Sequence, residues 1–398
     1  MGQRWVRYVK RFVFQCTSCV TVVTCSTALR NPFVHTAPLT TISGSTALTT
    51  RLPPLDPRDH APSVFFHHCQ ARGVSERTAR RWLGSTLGKG ESTLVEWRRT
   101  GLLSQSTCDD LADLPRLTLE NTQVSTVDGF RKLLFRTYDG LPLETVIIPL
   151  HIENAASICL SSQVGCVMGC TFCATARMST RRSLATWEIV DQFLQARAVA
   201  AEHGRRVTGA VFMGMGEPFL NYERVLAAAE LLCFPVLNAI SAKAITISTV
   251  GLVPEIKKFI AEDRPFRLSI SIGAATDEKR AKLVPVAART PVREVMAAAR
   301  EYASSRKTRV NIAYVCIQGE NVGEEDAIAL RDLIGDTPVR VDLITVTDAT
   351  GRYAAPSFEE LESFRDALRK HVGQPVVRRY SGGADIQAAC GTLAGGSP

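Results

Sequence analysis

Six short apolar runs constrain this chain most: SICLSS, GAVFMGM, KAITIST, FRLSISIG, RVNIAYVCI and VRVDLITV, spread over residues 157–346. They are bounded by polar or glycine-containing segments, as buried strands are. Between them ATWEIVDQFLQARAVAA, NYERVLAAAELL, VPEIKKFIA, TPVREVMAAAREYA and GEEDAIALRDLIG carry a helical period. In the first of these Trp187, Val190, Phe193 and Leu194 gather on one face, with Glu188, Asp191 and Arg197 elsewhere. Strands and helices in strict alternation imply an α/β fold around a parallel sheet. In such sheets ligands sit at the C-terminal ends of the strands, so chemistry is to be sought just past each run.

Upstream the pattern changes. FRKLLFRTYDGLPLETVIIPLH alternates apolar and polar residues around Asp139–Gly140, a hairpin signal placed within residues 115–151. VSERTARRWLGSTLG, STLVEWRRTGL and STCDDLADL read as short helices of a small domain over 56–114. Residues 1–55 hold Arg4, Arg7, Lys10, Arg11, Arg30 and Arg51 and no acid, and so account for most of the formal charge of +8. The bulk charge is thus a weak pointer to nucleic acid, and local patches at Arg80–Arg81 and Arg378–Arg379 are better ones. The extension is expected to be disordered, with a transit peptide as the alternative. Residues 12–29 are uncharged but rich in Gln, Ser and Thr, which is a poor membrane span. Cys16, Cys19 and Cys25 lack a fourth ligand for zinc. The 12 cysteines form no small-domain disulfide framework, and a reducing compartment, the cytoplasm or else an organelle, is expected.

Cys166, Cys170 and Cys173 follow the first run as C-x3-C-x2-C. Three thiolates can hold three irons of a [4Fe–4S] cluster and leave one iron open. Structural zinc wants a fourth Cys or His, and this loop has none. GMGEP, ending at Pro218, closes the second run; alone it would read as a tight turn with a solvated Glu217. Alone, Cys159 reads as a buried strand thiol, Cys390 as a free thiol near the C-terminus, and Glu144 as a solvated strand carboxylate. Cys69, Cys108, Cys233 and Cys316 receive no role.

The combined pattern resembles the RlmN/Cfr family of radical S-adenosylmethionine RNA adenosine methyltransferases. The matching pieces are GLPLETVIIP, CLSSQVGCVMGCTFCATA, VFMGMGEPFLNY, ITISTVGLVP, SISIGAATDEKR and GGADIQAACGTLAGG, in order over about two thirds of the chain. The resemblance implies a partial (β/α)6 barrel, here over 152–380, followed by a C-terminal loop over 381–398. The helical domain over 56–114, by its arginines, is the expected element for docking RNA. It implies that Cys166, Cys170 and Cys173 hold a [4Fe–4S] cluster, whose open iron chelates S-adenosylmethionine. Gly216, Glu217, Ser248 and Ser271 map onto cofactor contacts. This chain departs from the pattern at Gly273, where the family commonly has histidine, and at Thr347–Asp348, where it has an Asn-Pro pair. Gly273 can contact a ligand only through its backbone, and Thr347 keeps a hydroxyl but no amide.

The resemblance further implies a methyl-carrier scheme. Cys390 takes a methyl from one S-adenosylmethionine, and a radical from a second activates it for attack on an adenine carbon. Glu144 takes the proton from the adduct. Cys159 then attacks the Cys390 sulfur, frees the product and leaves a transient Cys159–Cys390 disulfide. Carbon 2 is favoured over carbon 8, and the RNA is ribosomal or transfer RNA. An electron donor such as flavodoxin or ferredoxin, no membrane and a monomeric protein complete the expectation. Weighed against this are a radical methylase of another RNA or a protein, and a non-catalytic metal-containing RNA-binding module.

Overall fold

The computed structural model describes residues 55–394, apart from 91, 102, 105–112, 237–238 and 349. The basic extension with Cys16, Cys19 and Cys25, and also Cys108, lie outside the described residues.

Ten strands share one sheet in the order β1-β2-β3-β4-β7-β8-β9-β10-β11-β12. The first three are β1 (Thr118–Val124), β2 (Arg131–Arg136) and β3 (Pro142–Pro149), each antiparallel to the next, and β3 is antiparallel to β4 (Ala155–Cys159). From β4 onward the pairing is parallel through β7 (Arg206–Phe212), β8 (Ile245–Thr249), β9 (Arg267–Ser271), β10 (Val310–Cys316), β11 (Val339–Thr345) and β12 (Val376–Arg378). A two-stranded ribbon, β5 (Gln163–Val164) with β6 (Arg182–Ser183), flanks the cysteine loop. All six expected parallel strands are present, and β12 adds a seventh at the edge. The expected hairpin is formed by β2 and β3, which continue the main sheet.

The crossovers are α4 (Thr186–Glu202), α5 (Tyr222–Leu232), α6 (Val253–Ala261), α7 (Asp277–Leu283), α8 (Val292–Arg306), α9 (Glu324–Ile334) and α10 (Phe358–Val372). Along the strands one set of alternate residues packs beneath these helices, such as Ile158, Ala210, Ile247 and Ile312, which are fully buried. The other set, Ser157, Val211, Thr246, Arg267, Asn311 and Arg340, comes from six strands yet lines a single cavity. Strands about 4.8 Å apart in a flat sheet could not converge so. The sheet is curved into a partial barrel with a polar lumen.

Upstream lie α1 (Pro62–Gln70), α2 (Glu76–Lys89) and α3 (Leu94–Thr100), packed on Phe65, Trp82 and Trp97. Ser75 caps α2 through the Thr78 N–H, and α3 opens with a capping box between Thr93 and Glu96. Among the described residues no helix is long and apolar enough to cross a membrane.

Arg58 ties this region to the barrel. It is 1% exposed, donates to Asp191 on α4 at 3.0 Å, and stacks over Trp187. Asp191 is equally buried and also accepts from the Leu117 N–H. Removing one partner of such a pair strands a buried charge. Arg58→Ala is therefore expected to cost about 3–5 kcal/mol in urea unfolding, with the slope against denaturant unchanged.

Candidate active site

The cysteine loop begins where β4 ends. At Gly165, with φ +68°, an added Cβ would lie 2.2 Å from the Thr180 carbonyl oxygen, so only glycine fits the entry. The Cys173 N–H then donates to the Cys170 carbonyl at 3.1 Å, closing the turn that carries the last two thiols. Burial pushes the Cys166 thiol up to about 11. It pushes Cys170 well above its ordinary range, and the neighbouring Cys173 and Cys166 add to the rise. Thiols held back from ionising as Cys166 and Cys170 are need a nearby cation to become thiolates. Among the described residues no three His, Cys, Asp or Glu side chains close on one point, as ligands of a single ion must. A cluster asks less, because each thiolate takes a separate iron. The loop's donor set fits such a group.

A cavity of about 150 Å3 opens beside Cys170 and Cys173. Gly216, Glu217, Ser248, Ser271 and Cys390 line it, which brings four expected cofactor residues together from the ends of β7, β8 and β9. Gly216, with φ +98°, has no room for a side chain: a Cβ would stand 2.8 Å from the Gln163 nitrogen. Glu217 is not solvated. It is 3% exposed, and its two oxygens accept from the Phe219 and Val250 N–H groups, each at 3.0 Å. A carboxylate oxygen has a second lone pair, so a cationic ligand can still be received. Gly273 and Thr347 do not line this cavity; Thr249, Ala313 and Thr345 do. The Gly273 carbonyl is turned instead to the Asn321 side-chain amide, at 2.9 Å.

Burial raises Glu217 from 4.5 to about 7, and its backbone hydrogen bonds offset only part of the rise. The folded chain thus binds this proton more tightly than the unfolded chain does. The contribution is fully present below pH 4.5 and is lost as pH rises to about 7. The expected outcome is a fall in the stability of the ligand-free protein across that window, flattened in Glu217→Gln and measured by urea titration at several pH values.

A second, smaller cavity of about 60 Å3 adjoins the first, sharing Met213, Cys390 and Leu393 with it. Cys159 and Cys390 both line it. Burial pushes the Cys159 thiol up to about 12, Cys390 adds to the rise, and Arg379 opposes it. Both cysteines are free thiols here, so the expected disulfide between them is not formed in this structure. The Cys390 N–H donates to Ser381 Oγ at 2.9 Å. Glu144 is not a solvated strand carboxylate either. It is 1% exposed, with one oxygen 3.0 Å from Lys132 Nζ and the other accepting from the Ala394 N–H at 2.8 Å.

The lumen continues into a third cavity of about 380 Å3, which shares Arg379 and Tyr380 with the second. Arg267, Arg340, Arg378 and Arg379 line it, and Asp342 pairs with Arg340. A further cavity of about 740 Å3 lies between α2, α4 and the start of β7 and holds none of the expected site residues. Sequence reasoning missed Lys132 and the separate role of Arg379. The signal for Lys132 was a lysine within the apolar run of β2, on the strand pair that carries Glu144.

The Radical SAM superfamily pattern matches residues 160–331. A probable RNA methyltransferase from Anaeromyxobacter is 45% identical over 324 residues, which is 81% of this chain and 94% of the relative. A dual-specificity RNA methyltransferase RlmN 1 from Myxococcus xanthus is 39% identical over 67% of this chain and 74% of its own length. Among solved structures, a radical SAM methyltransferase from Sphaerobacter thermophilus superposes with a TM-score of 0.78 at 35% identity, covering 86% of this chain and all of that one.

Proposed function

From a chain that belongs to the RlmN/Cfr family of radical S-adenosylmethionine RNA methyltransferases, we propose a methylation of adenosine at a ring carbon, carbon 2 before carbon 8, carried by Cys390. The RNA is ribosomal or transfer RNA. The observation that carries this reading is the cavity wall common to Cys159 and Cys390, which opens into the space beside Cys170 and Cys173.

Cys166, Cys170 and Cys173 would hold the cluster, with Gly216, Glu217, Ser248 and Ser271 around the S-adenosylmethionine. Bound there, cluster and cofactor together supply one-electron cleavage of a sulfonium and so a carbon radical. An adenine carbon bearing hydrogen is electrophilic, and a methyl tethered as a thioether reaches it where polar transfer does not. Cys390 offers that tether. Glu144 accepts the proton lost from the adduct carbon. Cys159 then attacks the Cys390 sulfur. The S–S bond forms, the sulfur–carbon bond breaks, and the carbon takes up a proton to become the methyl group. The electron pair of the broken sulfur–carbon bond stays with the carbon, so oxidation of the two thiols balances its reduction, and a dithiol reductant resets the pair each turn.

The cationic lumen suits the phosphodiesters flanking a target base. Arg267, Arg378 and Arg379 line the third cavity, which meets the Cys159–Cys390 cavity at Arg379 and Tyr380, and they make no ion pair with a carboxylate among the described residues. Neutralising one phosphate of a single strand contributes about 0.7 to the slope of log K against log salt. Arg267→Ala and Arg378→Ala are each expected to lower that slope by about this amount in RNA-binding titrations. The reading is tested by digesting RNA treated with the reconstituted protein and separating nucleosides by mass spectrometry. It expects 2-methyladenosine; a methyl on an exocyclic nitrogen or on ribose would overturn it.

A further inference from the structure

Lys132 and Glu144 meet because of the hairpin register. Lys132 faces Val146 and Leu134 faces Glu144, so the lysine and the carboxylate are diagonal neighbours on one face. Their contact is 3.0 Å, and both side chains are at most 5% exposed. The same ammonium donates to the Gln387 carbonyl at 3.4 Å, while the far oxygen of Glu144 accepts from the Ala394 N–H at 2.8 Å. Cys390 lies between these two attachment points. A buried carboxylate needs a partner, and removing that partner leaves it uncompensated.

We propose that Lys132 is a positioning residue for the proton transfer. It supplies the countercharge that keeps the Glu144 carboxylate a proton acceptor beside the loop that carries Cys390. The inference rests on Glu144 being the base. The loop does not depend on Lys132 for its place: Asp128 independently accepts from the Tyr380 hydroxyl and the Gly383 N–H, each at 2.8 Å. Lys132 therefore bears on the acceptor more than on the fold.

The test uses the full-length reconstituted protein under anaerobic conditions, with S-adenosylmethionine and an RNA containing the target adenosine. Peptide mass spectrometry reads the methyl on Cys390, and a denaturing gel reads RNA held covalently. In Lys132→Met, Cys390 acquires its methyl, product formation falls about 100-fold, and RNA accumulates as the covalent adduct. Lys132→Gln, which keeps hydrogen-bond donors but no charge, stalls in the same way. Lys132→Arg restores most of the turnover. Product formation at the unaltered rate in Lys132→Gln overturns the proposal, and so does a joint loss of methyl loading and product that Lys132→Arg does not rescue. Glu144→Gln is run in parallel. If it fails to accumulate adduct, the base reading itself falls. If it accumulates adduct and the Lys132 variants turn over normally, only this inference falls.

Discussion

Cys159→Ala is expected to leave RNA covalently attached to the protein through Cys390, with product release reduced at least about 1,000-fold. The variant removes the thiol that lines the smaller cavity with Cys390, while Cys170 and Cys173 across the larger one are committed to the cluster, so the carbon–sulfur bond of the adduct has no intramolecular nucleophile. Methyl loading of Cys390 and cleavage of S-adenosylmethionine precede this step and proceed. A denaturing gel of radiolabelled RNA reads the result directly, and release of RNA at the unaltered rate would contradict it. The buried setting adds a second signature. With the Cys159 thiol at about 12, roughly one molecule in 100,000 carries the thiolate at pH 7. Where its deprotonation limits release, the rate climbs about tenfold per pH unit between pH 6 and 9. Arg379, which opposes the rise at Cys159, gives a matching expectation: Arg379→Met slows release without touching methyl loading.

Cys170→Ala carries the other large effect. Cys170 sits between the other two thiols of the loop, coupled to both, and lines the cavity that Ser248 and Ser271 also line. Its loss leaves two thiolates for a group that needs three. Iron bound after reconstitution falls by well over half, the visible absorbance of the cluster disappears, and 5′-deoxyadenosine formation drops to the level of a blank without protein. The fold survives, since Cys170 is only partly buried and packs at the edge of a small cluster around Val284 and Ile317. Far-ultraviolet circular dichroism and the urea midpoint of the metal-free protein stay within about 0.5 kcal/mol of the unaltered chain. Full iron occupancy in Cys170→Ala would contradict the ligand set.

The six central strands were legible because burial on both faces writes itself as unbroken apolar runs. The Asp139–Gly140 turn was legible because a tight hairpin demands a residue tolerant of positive φ, and Gly140 has φ +78°. Other elements left little trace. β1 reads TLENTQV and is almost wholly exposed, so it has no apolar face to announce it. β12 is three residues long and mostly exposed, and it pairs only with β11. α7, seven residues of DEKRAKL, is too short for a period to show.

The site divides in the same way. Cys166, Cys170 and Cys173 are adjacent in sequence, so spacing alone exposed them. Glu144, Cys159 and Cys390 are brought together by the sheet and the returning C-terminal loop, and only the family resemblance linked them beforehand. Lys132 acts through a cross-strand diagonal and two loop contacts. These are three-dimensional relations for which a single sequence holds no local mark. The placement of Gly273 and Thr347 outside the cofactor-side cavity was hidden for the same reason, since it depends on how Asn321 and the end of β11 pack.

Every later step depends on Cys390 as the carrier of the methyl group. The most direct measurement reconstitutes the full chain with iron and sulfide under anaerobic conditions, adds S-adenosylmethionine without RNA, and maps methylation by peptide mass spectrometry. A single added methyl is expected on the peptide containing Cys390, absent in Cys390→Ala. A protein that cleaves S-adenosylmethionine reductively while its Cys390 stays unmodified would contradict it.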